Sequence, residues 1–378
     1  MDEDRTDVLI TGAGPSGLAA GFAAAEKGLS VRILERGAEP AKKIYATGNG
    51  RCNYSNLAAE HAQEVIDAMR SCFGIEPAEE EGRIYPKSFE AASVAHALIS
   101  AVERAGAGIL CRARVVDVQK NAQGFVVKCE DGREFSADKL ILASGGKAGI
   151  QYGCTGDGYK FAEKLGHSII KPVPALDGLC CKEDTEMLHG VRVRANARLE
   201  MSQAGGAYER LAEDLGEVQF TKNGISGICV MNLSRFLRFK EGAVFRLVLD
   251  LFPDKGIEEL TEVLFRRKQS FGCGISWLVP EKMKEYLHTH RSPDMNGPAG
   301  MAFAAKNLRF EITGTRGWKT AQTTCGGVPI EEINEETFGS RLVPGLFMTG
   351  ELLDYDGPCG GFNLNHAIYS GLTAGRSV

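Results

Sequence analysis

The chain has 378 residues, which is enough for two or three domains or for one core with large insertions. Hydrophobic residues make up 43% and charged residues 25%, as in an ordinary soluble globular protein, and no apolar run approaches the roughly 20 residues of a membrane span. The formal net charge is -5 and the sequence contains no long block of basic residues, which argues against nucleic acid as the main partner. We therefore expect a small-molecule substrate, no nucleic-acid partner and no membrane partner, while the oligomeric state is not indicated.

The cysteines indicate a reducing compartment. There are 11, an odd number, without a C-x-x-C pair, which favours free thiols in the cytosol over disulfides or a zinc site. The vicinal pair Cys180-Cys181 is more typical of two small core residues than of a redox centre. His288 and His290 alternate on a predicted helix and do not share a face for a metal. Because the N-terminus reaches a strand within a few charged residues, there is no room for a secretory signal, and we predict a cytoplasmic protein without a metal site.

The segment that ends at Glu35 has the order strand, glycine-rich turn, helix, strand and acid. An apolar run, Asp7–Thr11, leads into a G-x-G-x-x-G turn and an Ala-rich helical pattern that ends near Gly28. A second apolar run, Ser30–Leu34, delivers the carboxylate of Glu35. This order indicates a dinucleotide-binding βαβ unit rather than an ordinary glycine-rich turn between a strand and a helix. The turn consists of Gly12, Ala13, Gly14, Pro15, Ser16 and Gly17.

The three glycines and the acid have separate physical tasks. Gly12 makes the tight turn, Gly14 lets the backbone approach a pyrophosphate, and Gly17 lets the helix pack against the sheet. The helix N-terminus offers N–H groups and a positive dipole end to the phosphates. Glu35 follows about twenty residues later, where an acid accepts hydrogen bonds from the adenosine ribose and would repel a 2′-phosphate. The unit therefore favours FAD or NAD over NADP.

The loop after this unit is rich in small and basic residues. Gly48 and Gly50 flank Asn49, with Lys43 before them and Arg51 after them. Small residues keep side chains from blocking the approach of a ligand to the backbone. The loop is suited to covering a pyrophosphate and approaching an isoalloxazine ring, and the alternative is a polar surface turn with solvated basic side chains.

Together, these segments resemble the opening of an FAD-binding flavoprotein family that includes aminoacetone-oxidase-like proteins and bile-acid dehydro-intermediate reductases. The family usually has three glycines before Arg-Cys-Asn, and here the middle one is Asn49, which tolerates the left-handed backbone region better than other non-glycine residues. We therefore expect the loop geometry to be retained. The resemblance implies FAD as the cofactor. Beyond the glycine turn, it implies cofactor contacts from Glu35, Arg36, Lys43, Gly48, Asn49, Gly50, Arg51, Cys52 and Asn53.

Two helical patterns follow, His61–Phe73 and Phe89–Ala105. Between them, Gly82–Pro86 matches a segment of the same family. Its residues Arg83 and Tyr85 either face a substrate pocket or form a turn that docks an aromatic ring on the core.

The next segments alternate as strands. Ile109–Val118 and Gly124–Cys129 predict a β-hairpin, and Lys139–Ala143 is typical of a buried parallel strand. The resemblance implies that the backbone at Val115 meets the adenine. It also implies FAD neighbours at the end of the buried strand, which are Ser144 and Gly145.

The chain contains one dinucleotide fingerprint. Gly153–Tyr159 precedes a predicted helix, Lys160–Gly166, but no acid-tipped second strand follows it. The single unit must therefore hold FAD, and NADH or NADPH would dock transiently. From Pro172 onward, short β-like runs separated by turns predict an inserted antiparallel sheet or small barrel, and Glu258–Lys268 and Glu281–Thr289 predict helices.

We predict an α/β fold in which a discontinuous Rossmann-like FAD-binding domain carries an inserted antiparallel β domain and a small helical subdomain. The FAD-binding domain is predicted to comprise residues 1–174 and 323–378. The β domain comprises 175–252 with a return strand at 306–322, and the helical subdomain comprises 253–305.

The C-terminal segment completes the predicted cofactor site. A strand, Leu346–Thr349, is followed by Gly350 and Glu351, and the resemblance implies that the Glu351 carboxylate accepts hydrogen bonds from a ribityl hydroxyl. A predicted helix, Leu364–Ala374, begins soon afterwards. The N–H groups in front of it suit the flavin N1–C2=O edge, where they would stabilise negative charge during reduction. These groups belong to Gly361, Phe362 and Asn363.

We interpret the chain as an FAD-dependent oxidoreductase that transfers a hydride through flavin N5. The preferred reaction is the NAD(P)H-dependent reduction of an activated C=C bond in a small or medium hydrophobic substrate. Such a reduction needs a proton donor opposite the hydride, and the candidates by residue type are Tyr85, Tyr355 and His366. The alternatives are an amine or aminoketone oxidase that uses O₂, and a non-catalytic or RNA-associated flavoprotein.

Overall fold

The computed structural model describes residues 5–237, 242–290 and 296–378. The chain divides into two compact units, of which the first consists of Met1–Val173 and Thr323–Val378 and the second of Pro174–Gln322. The second unit is therefore an insertion in the sequence of the first. Over the described ranges, no helix combines the length and the apolar character needed to cross a membrane.

The first unit opens with the expected strand, helix and strand, and then adds a small three-stranded sheet and a β-meander. A 3-10 helix, Ile44–Gly50, follows the second strand. The elements before the insertion are β1 (Arg5–Thr11), α1 (Pro15–Ala25), β2 (Val31–Leu34), β3 (Ser55–Asn56), α2 (Ala62–Ser71), β4 (Pro77–Glu80), β5 (Arg83–Pro86), α3 (Ala91–Arg104), β6 (Gly108–Leu110), β7 (Val115–Asn121), β8 (Gly124–Cys129), β9 (Glu134–Leu142), α4 (Asp157–Lys164) and β10 (Ile170–Ala175).

The inserted unit combines antiparallel strands with helices. Its described elements are β11 (Leu179–Cys181), β12 (Arg192–Gln203), β13 (Glu209–Thr221), β14 (Gly224–Ser226), α5 (Ile228–Ser234), β15 (Ala243–Asp250), α6 (Ile257–Phe271), α7 (Glu281–His290), α8 (Gly297–Lys306) and β16 (Leu308–Thr315). The strands close into a barrel in the order β11-β14-β13-β12-β15-β16. Phe220, Phe245 and Phe310 are buried in one core with Leu260 of α6 and Tyr286 of α7, so the barrel and these helices share a hydrophobic core.

The chain then returns to the first unit. The elements of this last segment are β17 (Thr323–Gly327), β18 (Ile333–Asn334), β19 (Gly339–Ser340), β20 (Leu346–Met348) and α9 (Phe362–Ser377). The main sheet of the unit has the order β18-β19-β20-β9-β1-β2-β6, with β8 also pairing with β9 and β7 pairing with β8. In it, β1 lies between its parallel neighbours β2 and β9. Val8, Leu9 and Ile10 of β1 are completely buried, as expected for a parallel strand covered on both faces.

Small residues bring α1 and α9 close together beside the sheet. A Cβ on Gly371 of α9 would lie 2.2 Å from the carbonyl oxygen of Ser16, and one on Gly375 would lie 2.3 Å from that of Ala20. A larger residue at either position would push the helices apart. The Ala- and Gly-rich pattern of α1 is therefore a packing requirement of its contact with α9 as well as of the phosphate turn.

The predicted fold class is confirmed, whereas two element boundaries were wrong. Ile109–Val118 is not one strand of a hairpin, because β6 pairs in parallel with β2 and the hairpin is formed by β7 and β8. Arg112, with a left-handed φ of 54°, lies between β6 and β7 and breaks the extended run. The predicted helix Lys160–Gly166 begins three residues earlier, at Asp157, after the left-handed Gly156.

Candidate functional site

The glycine turn has the geometry required for close approach to a phosphate. Gly12 has a φ of 96°, and a Cβ there would lie 2.6 Å from the carbonyl oxygen of Ala143. A Cβ on Gly17 would lie 1.9 Å from the carbonyl oxygen of Gly12. By contrast, no described atom lies within 4 Å of a Cβ built on Gly14, the N-cap of α1. The turn is therefore tight on its protein side and open at Gly14, in front of the helix N-terminus.

The carboxylate of Glu35 is held at the end of β2 by backbone donors. Its Oε2 accepts the N–H of Ala13 at 2.9 Å and its Oε1 accepts the N–H of Gly37 at 2.6 Å. These bonds fix the carboxylate beside the glycine turn and leave it lone pairs for a further donor. Its hydrogen bond to the ribose is compatible with this geometry and stays a prediction. The N–H of Ala113 donates to the carbonyl of Glu35 at 2.8 Å. The segment that leads to Val115 therefore runs beside Glu35.

The loop around Asn49 has a left-handed backbone at three consecutive residues. Gly48 and Asn49 have φ values of 55° and 56°, and Gly50 has a φ of 83°. The expectation that Asn49 would adopt the left-handed conformation is confirmed. Cys52, also left-handed, is completely buried, and burial raises the pKa of its thiol to about 11. The thiol is therefore protonated at neutral pH, whereas the thiolate is the reactive form. Cys52 thus has a structural role in this loop.

The side chain of Arg51 is engaged outside the glycine turn. Its guanidinium pairs with Glu80 at 2.7 Å and lies over the rings of Tyr85 and Phe89, 4.6 and 4.5 Å from their centroids. Arg51, Glu80, Glu81, Arg83 and Tyr85 line a cleft of about 480 Å³. Arg36, in turn, donates to Thr155 at 2.5 Å. Among the basic residues predicted to contact the cofactor, Arg51 and Arg36 thus have protein partners of their own.

Lys43 and Glu351 connect the two segments of the first unit. The Lys43 ammonium donates to Oε2 of Glu351 at 2.6 Å, and Oε1 of Glu351 accepts the N–H and the hydroxyl of Thr324 at 2.9 and 2.8 Å. Burial has the largest single effect on the pKa of Lys43 and lowers it, but the charge of Glu351, the neighbouring Cys154 and the hydrogen bond to Glu351 together outweigh burial, so that the pKa lies above its usual value. The Lys43 side chain is therefore a cation at neutral pH.

The N-terminus of α9 is packed tightly against β3. Gly360 and Gly361 have φ values of 115° and 103°, and a Cβ on Gly361 would lie 2.2 Å from the carbonyl oxygen of Ser55. The Asn56 amide donates to the carbonyl of Gly360 at 2.9 Å. The Asn363 side chain both accepts from and donates to the backbone of Gly357, at 2.9 and 2.8 Å. The predicted donors Gly361, Phe362 and Asn363 thus begin a rigidly held helix, which suits an anionic edge.

The three predicted proton donors are not all in one place. The rings of Tyr355 and His366 are stacked, with centroids 3.9 Å apart, whereas Tyr85 lines the cleft beside Arg51. Burial, followed by the nearby charge of His61, lowers the pKa of His366 to about 4. Its Nε2 is buried and finds no hydrogen-bond partner among the described residues. His366 is therefore neutral at pH 7, and the structure leaves the choice of proton donor a prediction.

Sequence reasoning missed Thr324 and Asn56 as parts of this site. Thr324 binds Glu351 and also accepts the N–H groups of Lys147 and Ala148, at 2.8 and 3.0 Å. The available signal for Thr324 was the sequence of the returning segment Thr323–Val328, which also resembles the flavoprotein family. Asn56 had no such signal, because its bond to Gly360 is a tertiary contact.

Comparison with known proteins places this geometry in a family. The model of the HI0933-like protein Rossmann domain matches residues 63–377, and that of an FAD binding domain matches residues 7–49. The chain belongs to the HI0933-like family of FAD-binding oxidoreductases. It is 34% identical to a "3-dehydro-bile acid delta(4,6)-reductase" of Clostridium scindens over 98% of both chains, and 25% identical to a "Ribosomal RNA dihydrouridine synthase" of Escherichia coli over 96% of both.

Two solved flavoenzymes share the fold of this family member. One is a flavocytochrome c3 fumarate reductase, with a TM-score of 0.52 and 16% identity over 99% of this chain and 78% of the other. The second is the 3-ketosteroid-delta4-(5alpha)-dehydrogenase of Rhodococcus jostii RHA1, with a TM-score of 0.50 and 13% identity over 99% of this chain and 97% of the other. At these identities the likeness concerns the fold alone.

FAD is the cofactor of this family member, and its first unit has suitable space and donors. No described atom lies within 4 Å of a Cβ built on Gly14, Gly50 or Gly145, so three backbone segments are open to a close ligand. The hydroxyl of Ser144 is buried without a partner among the described residues. The pyrophosphate would be held at the turn that contains Gly14, the adenosine ribose at Glu35, and the flavin at the N-terminus of α9.

Proposed function

We propose that this family member catalyses the NAD(P)H-dependent reduction of an activated C=C bond in a small or medium hydrophobic molecule. The observation that carries the proposal is the 34% identity, over nearly the full length of both chains, to a reductase whose name specifies delta(4,6) bonds of a 3-dehydro-bile acid. A double bond in conjugation with a carbonyl is the type that accepts a hydride at carbon. Bound FAD supplies hydride transfer at its N5.

The names of more distant relatives support the same reaction class. The dihydrouridine synthases of Escherichia coli and Haemophilus influenzae are 25% and 26% identical to this chain. Dihydrouridine is uridine with a saturated C5–C6 bond, and that bond is conjugated with a carbonyl in uracil. Saturation of a conjugated C=C bond is thus common to relatives whose substrates differ, which supports the reaction more strongly than it supports any substrate.

The topology favours a nicotinamide donor that binds only transiently. Among the described residues, the parallel pairs of the main sheet join β6, β2, β1, β9 and β20, which form a single dinucleotide-binding arrangement. The inserted unit contains a barrel whose strand pairs are antiparallel. With FAD in the one Rossmann-like unit, NADH or NADPH has no dedicated domain of this type and would exchange at the flavin.

The chain's own residues would position and polarise the reactants. The N–H groups at the start of α9 would stabilise negative charge on a bound ring, and the ion pair of Lys43 with Glu351 would fix the loop beside it. His366 is neutral at pH 7, so it is suited to orienting its stacked neighbour Tyr355 better than to being an acid itself. We infer that Tyr355 is the better candidate of this pair for donating a proton.

The 11 cysteines, all of which are free and lie in the described ranges, support the proposal that the protein works in a reducing cytoplasm.

The main rival function is an amine or aminoketone oxidase, which would pass electrons to O₂. Oxygen consumption with amine substrates, and none with an enone, would favour that rival.

The decisive experiment is an anaerobic visible spectrum of the FAD-loaded protein before and after addition of NADH or NADPH. We expect the flavin absorbance to bleach within seconds and to return when a 3-oxo-4-ene steroid is added. A second sample is reduced with dithionite, freed of the excess and then given the same steroid. If it stays reduced, the enone reductase proposal is wrong. If it reoxidises although neither nicotinamide bleached the first sample, only the electron donor is wrong.

A further inference from the structure

Arg83 is a half-buried cation for which the described part of the chain provides no partner. It lies on β5, next to the buried Ile84, and its side chain extends along Gly360, where a Cβ would lie 3.5 Å from its Nε. Among the described residues, its guanidinium makes neither a hydrogen bond nor an ion pair. A guanidinium has five N–H donors and stays charged, so partial burial without an acceptor is costly unless a ligand supplies one.

The second cation of the same cleft is already neutralised. Arg51 pairs with Glu80 at 2.7 Å and lies over the rings of Tyr85 and Phe89. This arrangement holds its charge against the wall of the cleft. Tyr85, only 6% exposed, adds an aromatic surface to that wall. Arg83 is thus the cation of the cleft that is left to bind a ligand, next to an apolar surface.

The charges around the cleft favour a single carboxylate over a polyanion. Three consecutive glutamates, Glu79, Glu80 and Glu81, precede the turn into β5. Glu79 accepts the N–H of Gly82 at 2.7 Å, Glu80 pairs with Arg51, and the exposed Glu81 has no partner among the described residues. A phosphate chain would meet this negative charge along its length, whereas one carboxylate can make two parallel hydrogen bonds to a guanidinium.

We propose that Arg83 binds a carboxylate of the substrate, and that the substrate is therefore a hydrophobic carboxylic acid and not a nucleic acid. The inference rests on the proposed function only in taking this cleft as part of the substrate site. Gly360, which lies against Arg83, precedes Gly361, the N-cap of α9, and the start of this helix is the predicted contact of the flavin ring. An acid anchored at Arg83 would be held next to that helix N-terminus by a charge-assisted, bidentate pair.

The test compares two probes that differ in one charge, on the FAD-loaded protein. The probes are a 3-oxo-4-ene steroid with a side-chain carboxylate and its methyl ester, and benzoate serves as a minimal carboxylate. Dissociation constants are measured from the perturbation of the flavin spectrum. We expect the wild-type protein to bind the acid about tenfold more tightly than the ester. Arg83→Gln should abolish this preference without changing the affinity for the ester, and Arg83→Lys should restore part of it.

Glu81→Gln is the matched control variant on the same cleft. Removing this exposed negative charge should tighten binding of the acid at low salt by about two- to threefold and leave the ester unaffected. FAD content and thermal midpoint, measured for every variant, show whether each one is folded. If an Arg83 variant keeps its FAD content and thermal midpoint but still binds the acid more tightly than the ester, the proposal is overturned.

Further outcomes separate this proposal from the proposed function. If the wild-type protein prefers neither the steroid acid nor benzoate over neutral probes, the carboxylate site is wrong, even if the ester is reduced. If Arg83 governs binding of the acid but neither steroid reoxidises the reduced flavin, the site stands and the reaction is wrong. A short single-stranded RNA is tested as a competitor. RNA binding that depends on Arg83 and exceeds that of the acid would overturn the choice of a small carboxylic acid.

Discussion

The ammonium of Lys43 donates to Oε2 of Glu351 at 2.6 Å, although the two residues lie 308 positions apart in the chain. Their side chains are 28% and 19% exposed, so the pair is partly buried. Thr324 supplies two further donors to the other oxygen of the same carboxylate. The Glu351 carboxylate thus joins the two sequence segments of the FAD-binding unit. It has four lone-pair positions and accepts hydrogen bonds from at least three donors.

Glu351→Gln should therefore reduce the free energy of unfolding by about 2 kcal/mol, because it leaves the Lys43 cation partly buried without its counter-charge. The measurement is urea unfolding of the FAD-free protein at pH 7, followed by far-UV circular dichroism. Glu134→Gln is the control, since Lys128 pairs with Glu134 at a similar 2.7 Å but with side chains that are 40% and 53% exposed. This variant should change stability by less than about 0.5 kcal/mol. Equal effects of the two substitutions would contradict the role given to Glu351.

Gly14 and Gly17 should respond differently to substitution by alanine. At Gly14 the backbone is extended, with a φ of -78°, and no described atom lies within 4 Å of an added Cβ. At Gly17 the added Cβ would lie 1.9 Å from the carbonyl oxygen of Gly12. Gly14→Ala should keep the stability of the FAD-free protein within about 1 kcal/mol, because alanine also restricts the unfolded chain, and yet weaken FAD binding at least tenfold.

Gly17→Ala should instead destabilise the FAD-free protein itself, by about 2 kcal/mol or more, since backbone must move to relieve the contact. Urea unfolding and fluorescence titration with FAD are carried out on both variants. The two measurements together distinguish a glycine that is required for FAD binding, Gly14, from one that is required for packing of α1, Gly17. The interpretation fails if Gly14→Ala binds FAD as tightly as the wild-type protein does.

The dinucleotide unit could be predicted because its determinants are local. A buried strand, a turn of three glycines, a helix and an acid follow one another between Asp7 and Glu35, and each has an intrinsic backbone preference that agrees with the others. The same holds for Asn49, whose left-handed φ of 56° follows from the tolerance of asparagine for that region. Such features depend on neighbours in sequence, which are visible without a structure.

Features that depend on tertiary contacts could not be predicted in this way. The side chain of Arg51 is directed by Glu80, Tyr85 and Phe89, which lie together in a later segment of the chain. The end of β6 was missed because Arg112 adopts a left-handed conformation that its residue type does not favour. In both cases packing decides between local alternatives that are close in free energy.

Lys306 is expected to be a major contributor to the stability of the inserted unit. Its ammonium donates to Oδ2 of Asp250 at 2.7 Å and to the carbonyls of Phe252 and Lys255 at 2.7 and 2.5 Å. Lys306→Met would leave these acceptors without their donor in a region where the Lys306 and Asp250 side chains are only 14% and 17% exposed. We expect a loss of about 2–3 kcal/mol in the free energy of unfolding.

The measurement for Lys306 is urea unfolding at pH 7, with Lys182→Met as the control. Lys182 pairs with Glu311 at 3.3 Å, but its side chain is 68% exposed, so its loss should change stability by less than about 0.5 kcal/mol. Similar losses in the free energy of unfolding for Lys306→Met and Lys182→Met would show that burial of the Lys306 contacts does not increase their contribution to stability.

His366 should make the stability of the protein depend on pH between about 6.5 and 4. Burial, followed by the charge of His61, lowers its pKa from 6.5 to about 4 in the folded state, so its contribution to stability is complete above pH 6.5 and is lost as the pH falls towards 4. His366→Phe keeps a ring against Tyr355 and removes the titration. Between pH 7 and pH 5, the wild-type protein should therefore lose about 2 kcal/mol more of its free energy of unfolding than the variant does. Urea unfolding of both proteins at the two pH values measures this difference, and parallel losses would mean that His366 binds its proton as readily in the folded chain as in the unfolded one.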